Sequence, residues 1–203
     1  MIRAMIALLG VLAATACTPL DQVTQSIPLG QGAIIATSPS GYCIDSVASQ
    51  PARNFAILAP CVALGHATSA PNVVGVATVQ VGPEDSGQIA ADELALRDFL
   101  ITNEGARMLS AANDPEAVDI LSTQAFDDRV MVHFTDQGPP PLAGLQKEEW
   151  RAFANINGRL VTVSVRGLAT APLRDGPGAT LLKQVLAGVR APAPETTDTP
   201  SET

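Results

Sequence analysis

Asn157-Gly158 constrains this chain more than any other pair of residues in it. A two-residue type I′ turn needs positive φ at both central positions, which asparagine and glycine accept at least cost, so the flanking segments must run back antiparallel. The register then follows from the turn alone: Ile156 faces Arg159, Ala154 faces Val161, Ala152 faces Val163 and Trp150 faces Val165. One face of the hairpin is nearly all apolar, and the sole tryptophan belongs in the core. The opposite face sets Glu149 against Arg166, Arg151 against Ser164 and Phe153 against Thr162.

A second hairpin is expected to turn at Asp127-Asp128, pairing Val118–Phe126 with Arg129–Asp136, because Val130, Val132 and Phe134 alternate onto one face. Ala33–Ser38 and Asn72–Val81 read as strands from their β-branched content. Asp92–Leu100 reads as a helix burying Leu94, Ala95, Phe99 and Leu96, and Glu104–Ala111 as a second helical piece, with Thr102-Asn103 able to cap either. Ala179–Arg190 reads as an amphipathic helix with Leu181, Leu182, Val185, Leu186 and Val189 on one stripe. Strands, then helices, then strands, then a helix predict an α+β fold: a mainly antiparallel sheet flanked by helices, in a single domain.

The N-terminus has a different purpose. Arg3, a short apolar stretch and a small-residue exit are the three parts of a secretory signal, and the stretch falls well short of the roughly 20 residues a bilayer span needs. Ala14-Thr15-Ala16-Cys17 resembles the lipobox of bacterial lipoproteins, although leucine is commoner at the position of Ala14. The resemblance implies cleavage before Cys17, acylation of its sulfur, and stable anchoring by that residue's acyl chains. Thr18 stands where inner-membrane lipoproteins usually carry aspartate, which implies the outer membrane. The expected organisation is a signal peptide at 1–16, a membrane-proximal tether at 17–29, a globular domain at 30–190 and a polar, disordered tail at 191–203.

Lipidation of Cys17 also resolves the odd count of three cysteines. Cys43 and Cys61 remain, and in an oxidising compartment they are expected to form one structural disulfide. Metal binding is the other use of such residues, but Cys61-x4-His66 with a distant Cys43 lacks the paired spacing of a zinc module, so no metal site is expected. With no Cys-x-x-Cys, a redox pair is not expected either.

Composition narrows the function classes. Twelve basic against 20 acidic residues give a net charge of -8, and the basic residues are spread evenly, which argues against a nucleic-acid partner. Phosphate-binding loops, calcium loops and a Gly-x-Ser-x-Gly nucleophile are all missing from the sequence, and no cofactor is expected. The one catalytic arrangement the register permits is Ser122 across from His133, with Asp119 or Asp136 as acidic partner, in an envelope hydrolase. A polar cross-strand pair on a solvated face explains the same residues without chemistry.

Gly41-Tyr42-Cys43-Ile44-Asp45, the second cysteine, Trp150-Arg151 and the hairpin from Asn157 to Thr162 resemble a group of uncharacterised bacterial lipoproteins. The closing strand and helix, Leu160 to Arg190, also resemble the PsbP-like or DcrB-like sandwich in element order. The resemblance implies a non-enzymatic envelope protein, facing the periplasm, that binds an envelope protein or small ligand or supports assembly. It transfers no catalytic residue.

Overall fold

The computed structural model describes residues 23–193, so the expected signal segment, Cys17 and residues 194–203 lie outside the described residues. In chain order the elements are β1 (Ser26–Leu29), β2 (Ile34–Thr37), β3 (Tyr42–Ile44), β4 (Phe55–Pro60), β5 (Val76–Val81), α1 (Glu93–Leu100), α2 (Asn103–Leu109), β6 (Val118–Phe126), β7 (Arg129–Asp136), β8 (Glu148–Ile156), β9 (Arg159–Arg166), α3 (Asp175–Ala187) and β10 (Val189–Arg190). They build an α+β domain with two antiparallel sheets, one ordered β1-β2-β10 and one ordered β3-β4-β5-β9-β8-β7-β6. No helix among the described residues is long and apolar enough to cross a membrane.

The β8–β9 hairpin has the register its turn dictates, from Ile156↔Arg159 to Trp150↔Val165, with φ of 51° at Asn157 and 74° at Gly158. The β6–β7 hairpin turns at Asp127 and Asp128, both left-handed, and aligns Ser122 with His133. Beyond that pair the register slips: Ile120 faces Phe134, and Leu121 is left over as a bulge.

Strand alternation sorts the large sheet's side chains into two cores. On the first face Trp150, Ala152, Val161, Val163, Val165, Val79 and Leu58 pack against Leu181, Leu182, Val185 and Leu186 of α3 and against Leu29, Ile34 and Ala36 of the small sheet. On the second face Val130, Val132, Phe134 and Phe153 pack against Leu96, Leu100 and Leu109 of α1 and α2. These helices lie over β6 and β7. The β4, β5 and β9 part of the second face is left to loops.

The structure departs from the sequence reading in several places. Ser26–Leu29, expected within a membrane-proximal tether, is instead β1: Ile27 and Leu29 alternate inward, and Pro28 is tolerated because β1 is an edge strand. In α1 Leu94 and Phe99 are 53% and 38% exposed, because two turns offer the sheet one short stripe, and Leu96 with Leu100 occupies it. Asp92 does cap that helix, accepting from the Ala95 N–H at 2.9 Å. Helix α3 begins at Asp175 and stops at Ala187, so Val189 is buried from β10, paired with Ala36, not from the helix stripe. Finally, β5 begins at Val76, because the segment before it is held by Tyr42: its hydroxyl donates to Val73 O at 2.8 Å and accepts from Gly75 N at 3.0 Å.

Cys43 in β3 and Cys61 just after β4 form a buried disulfide with Cα atoms 4.9 Å apart. The β3–β4 ladder brings them together, since Tyr42 pairs with Pro60 and Cys43 with Ala59. The bridge takes Cys61 out of any ligand set with His66.

Candidate functional site

The uncovered half of the second face forms a cleft of about 360 Å³. Phe55 and Ile57 of β4, Val76 of β5, and Leu142 and Leu145 of the proline-rich β7–β8 loop supply apolar walls, while Glu149, Arg151, Ser164 and Arg166 line it from β8 and β9. The polar lining is the face of the hairpin that the Asn-Gly turn set opposite the apolar one. Glu149 forms ion pairs with both arginines: with Arg166, and with Arg151 Nε at 2.7 Å.

Glu149 and Arg166 are only 1% and 4% exposed, so each depends on the other for its missing hydration. Arg166 also donates to the backbone oxygens of Gln146 at 3.0 Å and Lys147 at 3.3 Å, pinning the base of the loop that carries Leu142 and Leu145. Gln146 continues the clamp, its Oε1 accepting from Leu173 N at 2.6 Å. Arg151 differs. Its Nε donates to Glu149 and to Ser164 Oγ at 3.1 Å, and its guanidinium stands 5.2 Å over the Phe134 ring, but its terminal nitrogens make no hydrogen bond among the described residues. Two guanidinium groups against one carboxylate leave the cleft floor one positive charge in excess.

A second cleft, of about 300 Å³, lies on the other face and contains Ser122, His133, Trp150, Asp175 and Lys183. Here His133 stacks on its cross-strand partner Trp150, with ring centroids 4.5 Å apart and planes at 13°. The imidazole's hydrogen bond is not to Ser122. Its Nε2 meets Glu148 Oε1 at 2.6 Å, and the Ser122 hydroxyl makes no hydrogen bond among the described residues. Asp136 points to the sheet face opposite His133, where it is buried and accepts from Ala111 N at 2.7 Å and Gly138 N at 2.9 Å. Asp119 lies beside Thr135 with no bond to the imidazole. The three parts of a hydrolase triad are therefore not joined.

Sequence reasoning placed Glu149 opposite Arg166 but did not see the cleft, whose walls come from segments about 90 residues apart in the chain. The available signal was inward alternation of charged residues on a strand otherwise fit for a core. Cys17 lies outside the described residues, and Cys43 and Cys61 are paired as expected.

No protein-family model matches the chain, and no curated protein does. Solved structures do match. The Ran-binding protein Mog1p of Saccharomyces cerevisiae superposes with a TM-score of 0.50 at 12% identity, covering 84% of this chain and 96% of its own. A mutant form of Mog1 gives 0.51 over the same shares. The chain is similar in fold to Mog1. The cyanobacterial PsbP protein of Synechocystis sp. PCC 6803 matches with a TM-score of 0.45 at 10% identity, over 88% of this chain and 99% of that one. At these identities only the fold is shared, and fold by itself assigns no activity.

Proposed function

We propose that this protein is a non-catalytic binding module, lipid-anchored through Cys17 in the bacterial cell envelope, and that its cleft over Glu149, Arg151 and Arg166 holds an apolar ligand bearing one anionic group. The observation that carries the ligand class is the unbalanced charge at the floor of an apolar cleft, with Arg151's terminal nitrogens free to donate. A carboxylate or comparable head would complete the set, and an aliphatic body would cover Phe55, Ile57 and Leu142. The unassembled triad supports a role without chemistry. Mog1p is named as a Ran-binding protein, so a related architecture already serves binding. The envelope address rests on the signal and the Ala14–Cys17 lipobox, and the outer membrane on Thr18.

Decanoate and decanol share a tail and differ in the charged head, which makes them suitable probes. Calorimetric titration of the full chain should give saturable decanoate binding at least tenfold tighter than decanol binding, and Arg151→Gln should erase that difference while leaving the thermal transition cooperative. Equal binding of both probes by the native protein, or binding of neither, would overturn the ligand assignment. For the anchor, labelling with an alkyne-bearing fatty acid in a bacterial host should mark the native chain in the outer-membrane fraction and leave Cys17→Ser unmarked. A marked serine variant would refute acylation at that residue.

A further inference from the structure

We propose that His133, Glu148 and Asp175 form a binding site for one divalent transition-metal ion of the zinc class. The site lies on the sheet face away from the anionic-ligand cleft and is independent of it. One ligand atom from each side chain lies within 4.8 Å of the others, although the three come from β7, β8 and the first turn of α3.

The separations suit a single ion. Zinc bonds of about 2.0–2.2 Å to nitrogen and oxygen put tetrahedral ligand atoms roughly 3.4 Å apart. His133 Nε2 and Glu148 Oε1, at 2.6 Å, share one hydrogen bond, so the metal would replace that proton and open the pair by less than about 1 Å. Asp175 is exposed, and a rotamer change can bring its carboxylate inward. The fourth position is left to water, within a cleft that has room for it.

What distinguishes this cluster from scattered surface acids is the way its ligands are held. His133 is fixed by its stack on Trp150, and Trp150 is covered by Gly178, where an added Cβ would come within 2.4 Å of the indole. Gly178 is three residues after Asp175, on the same side of α3. The close approach of helix to indole therefore also holds the start of α3 where the Asp175 carboxylate comes within 4.8 Å of the His133 ligand nitrogen.

Charge and ligand type then select the ion. Lys183 and the positive N-terminal end of α3 also face this cleft and oppose a cation, so the two carboxylates must outweigh them. A neutral imidazole with two carboxylates favours zinc, cobalt or nickel over magnesium and calcium, which take oxygen ligands, and over copper(I), which prefers sulfur.

Trp150, the only tryptophan, reports on the site because it is stacked on the proposed ligand. In untagged full-length protein, nickel(II) should quench its fluorescence saturably with one equivalent. Zinc should displace nickel and restore the emission, and magnesium at the same concentration should not. Asp175→Asn, at an exposed position, should weaken nickel at least tenfold without shifting the thermal transition, His133→Gln should abolish saturable quenching, and His66→Gln should change neither. Absence of saturable quenching, or an Asp175→Asn variant that binds nickel like the native protein, would overturn the site even if His133→Gln failed to fold.

Discussion

Gly178 of α3 lies against the face of Trp150 so closely that a Cβ built on it would meet the indole Cδ2 and Cε2 at 2.4 Å. A glycine inside a helix normally costs about 0.5–1 kcal/mol relative to alanine, so its presence here reflects a close approach and not a propensity. Gly176, two residues earlier in the same helix, has nothing within 4 Å of its built Cβ.

The two glycines should respond with opposite signs. Gly178→Ala should destabilise the fold by about 1–3 kcal/mol, since the helix or the indole must move. Gly176→Ala should be neutral or stabilising by up to about 1 kcal/mol. Urea unfolding followed by far-UV circular dichroism measures both. Equal shifts would mean that the helix is not seated on the indole.

Removing the carboxylate of Glu149 should be among the costliest single changes in the molecule. Glu149→Ala leaves Arg166 buried without its counter-ion and should cost about 3–5 kcal/mol. Exchanging Glu149 and Arg166 together for methionine should cost clearly less than the sum of the single changes, because neither charge is then stranded. A double-mutant cycle from denaturation midpoints tests this, and additive losses would contradict the pairing.

Tyr42 is the only tyrosine, so its ionisation can be read directly from tyrosinate absorbance. Burial raises its pKa from 10.0 to about 12, and the hydrogen bond from Gly75 offsets only part of that rise. In the unfolded chain the phenol loses its proton from about pH 10. Between the two values the unfolded state binds fewer protons than the native one, so this contribution, roughly 2–3 kcal/mol, is present below pH 10 and lost as pH rises through 12. Tyr42→Phe should remove that part of the alkaline loss, while costing about 1–3 kcal/mol at neutral pH for the stranded Gly75 N–H and Val73 carbonyl. A native titration midpoint near 10 would place Tyr42 in solvent.

The Cys43–Cys61 bridge closes a loop with a sequence separation of 18. Loop entropy of that size is worth about 3 kcal/mol. Reduction, or the paired change to alanine, should lower the urea midpoint accordingly. The unreduced Cys17→Ser protein should weigh two hydrogen atoms less than its reduced form, and equal masses would mean free thiols.

Local turn chemistry made much of the fold readable. Asn157-Gly158 set its hairpin to the residue and Asp127-Asp128 set the other as far as Ser122 and His133, short of the bulge at Leu121; the alternation of the first placed Trp150 in the core and Glu149 beside Arg166. Less was readable where tertiary packing chooses among equivalent local options. The helix α1 carries enough leucine and phenylalanine to bury several stripes, and only the sheet beneath it selects Leu96 and Leu100. Ser26–Leu29 is too short to announce itself beside polar neighbours and becomes a strand because β2 offers an edge. Both candidate sites were hidden for the same reason. Their parts come from segments far apart in the chain, and no motif spans Phe55 and Leu142, or His133 and Asp175.

The large sheet has two edges, and they bear on how neighbouring copies behave when crowded. One edge, β3, is three residues long and offers little backbone to an intruding strand. The other, β6, is nine residues long, but its bulge at Leu121 breaks the even run of donors and acceptors. Leu121 itself is 51% exposed, so the bulge carries an apolar side chain at the point where a second molecule would seek to add a strand. Straightening β6 by deleting that residue would turn a guarded margin into a template for edge-to-edge fibres. On the anchor proposed for Cys17, neighbouring copies would be concentrated on a surface, where that guard matters most.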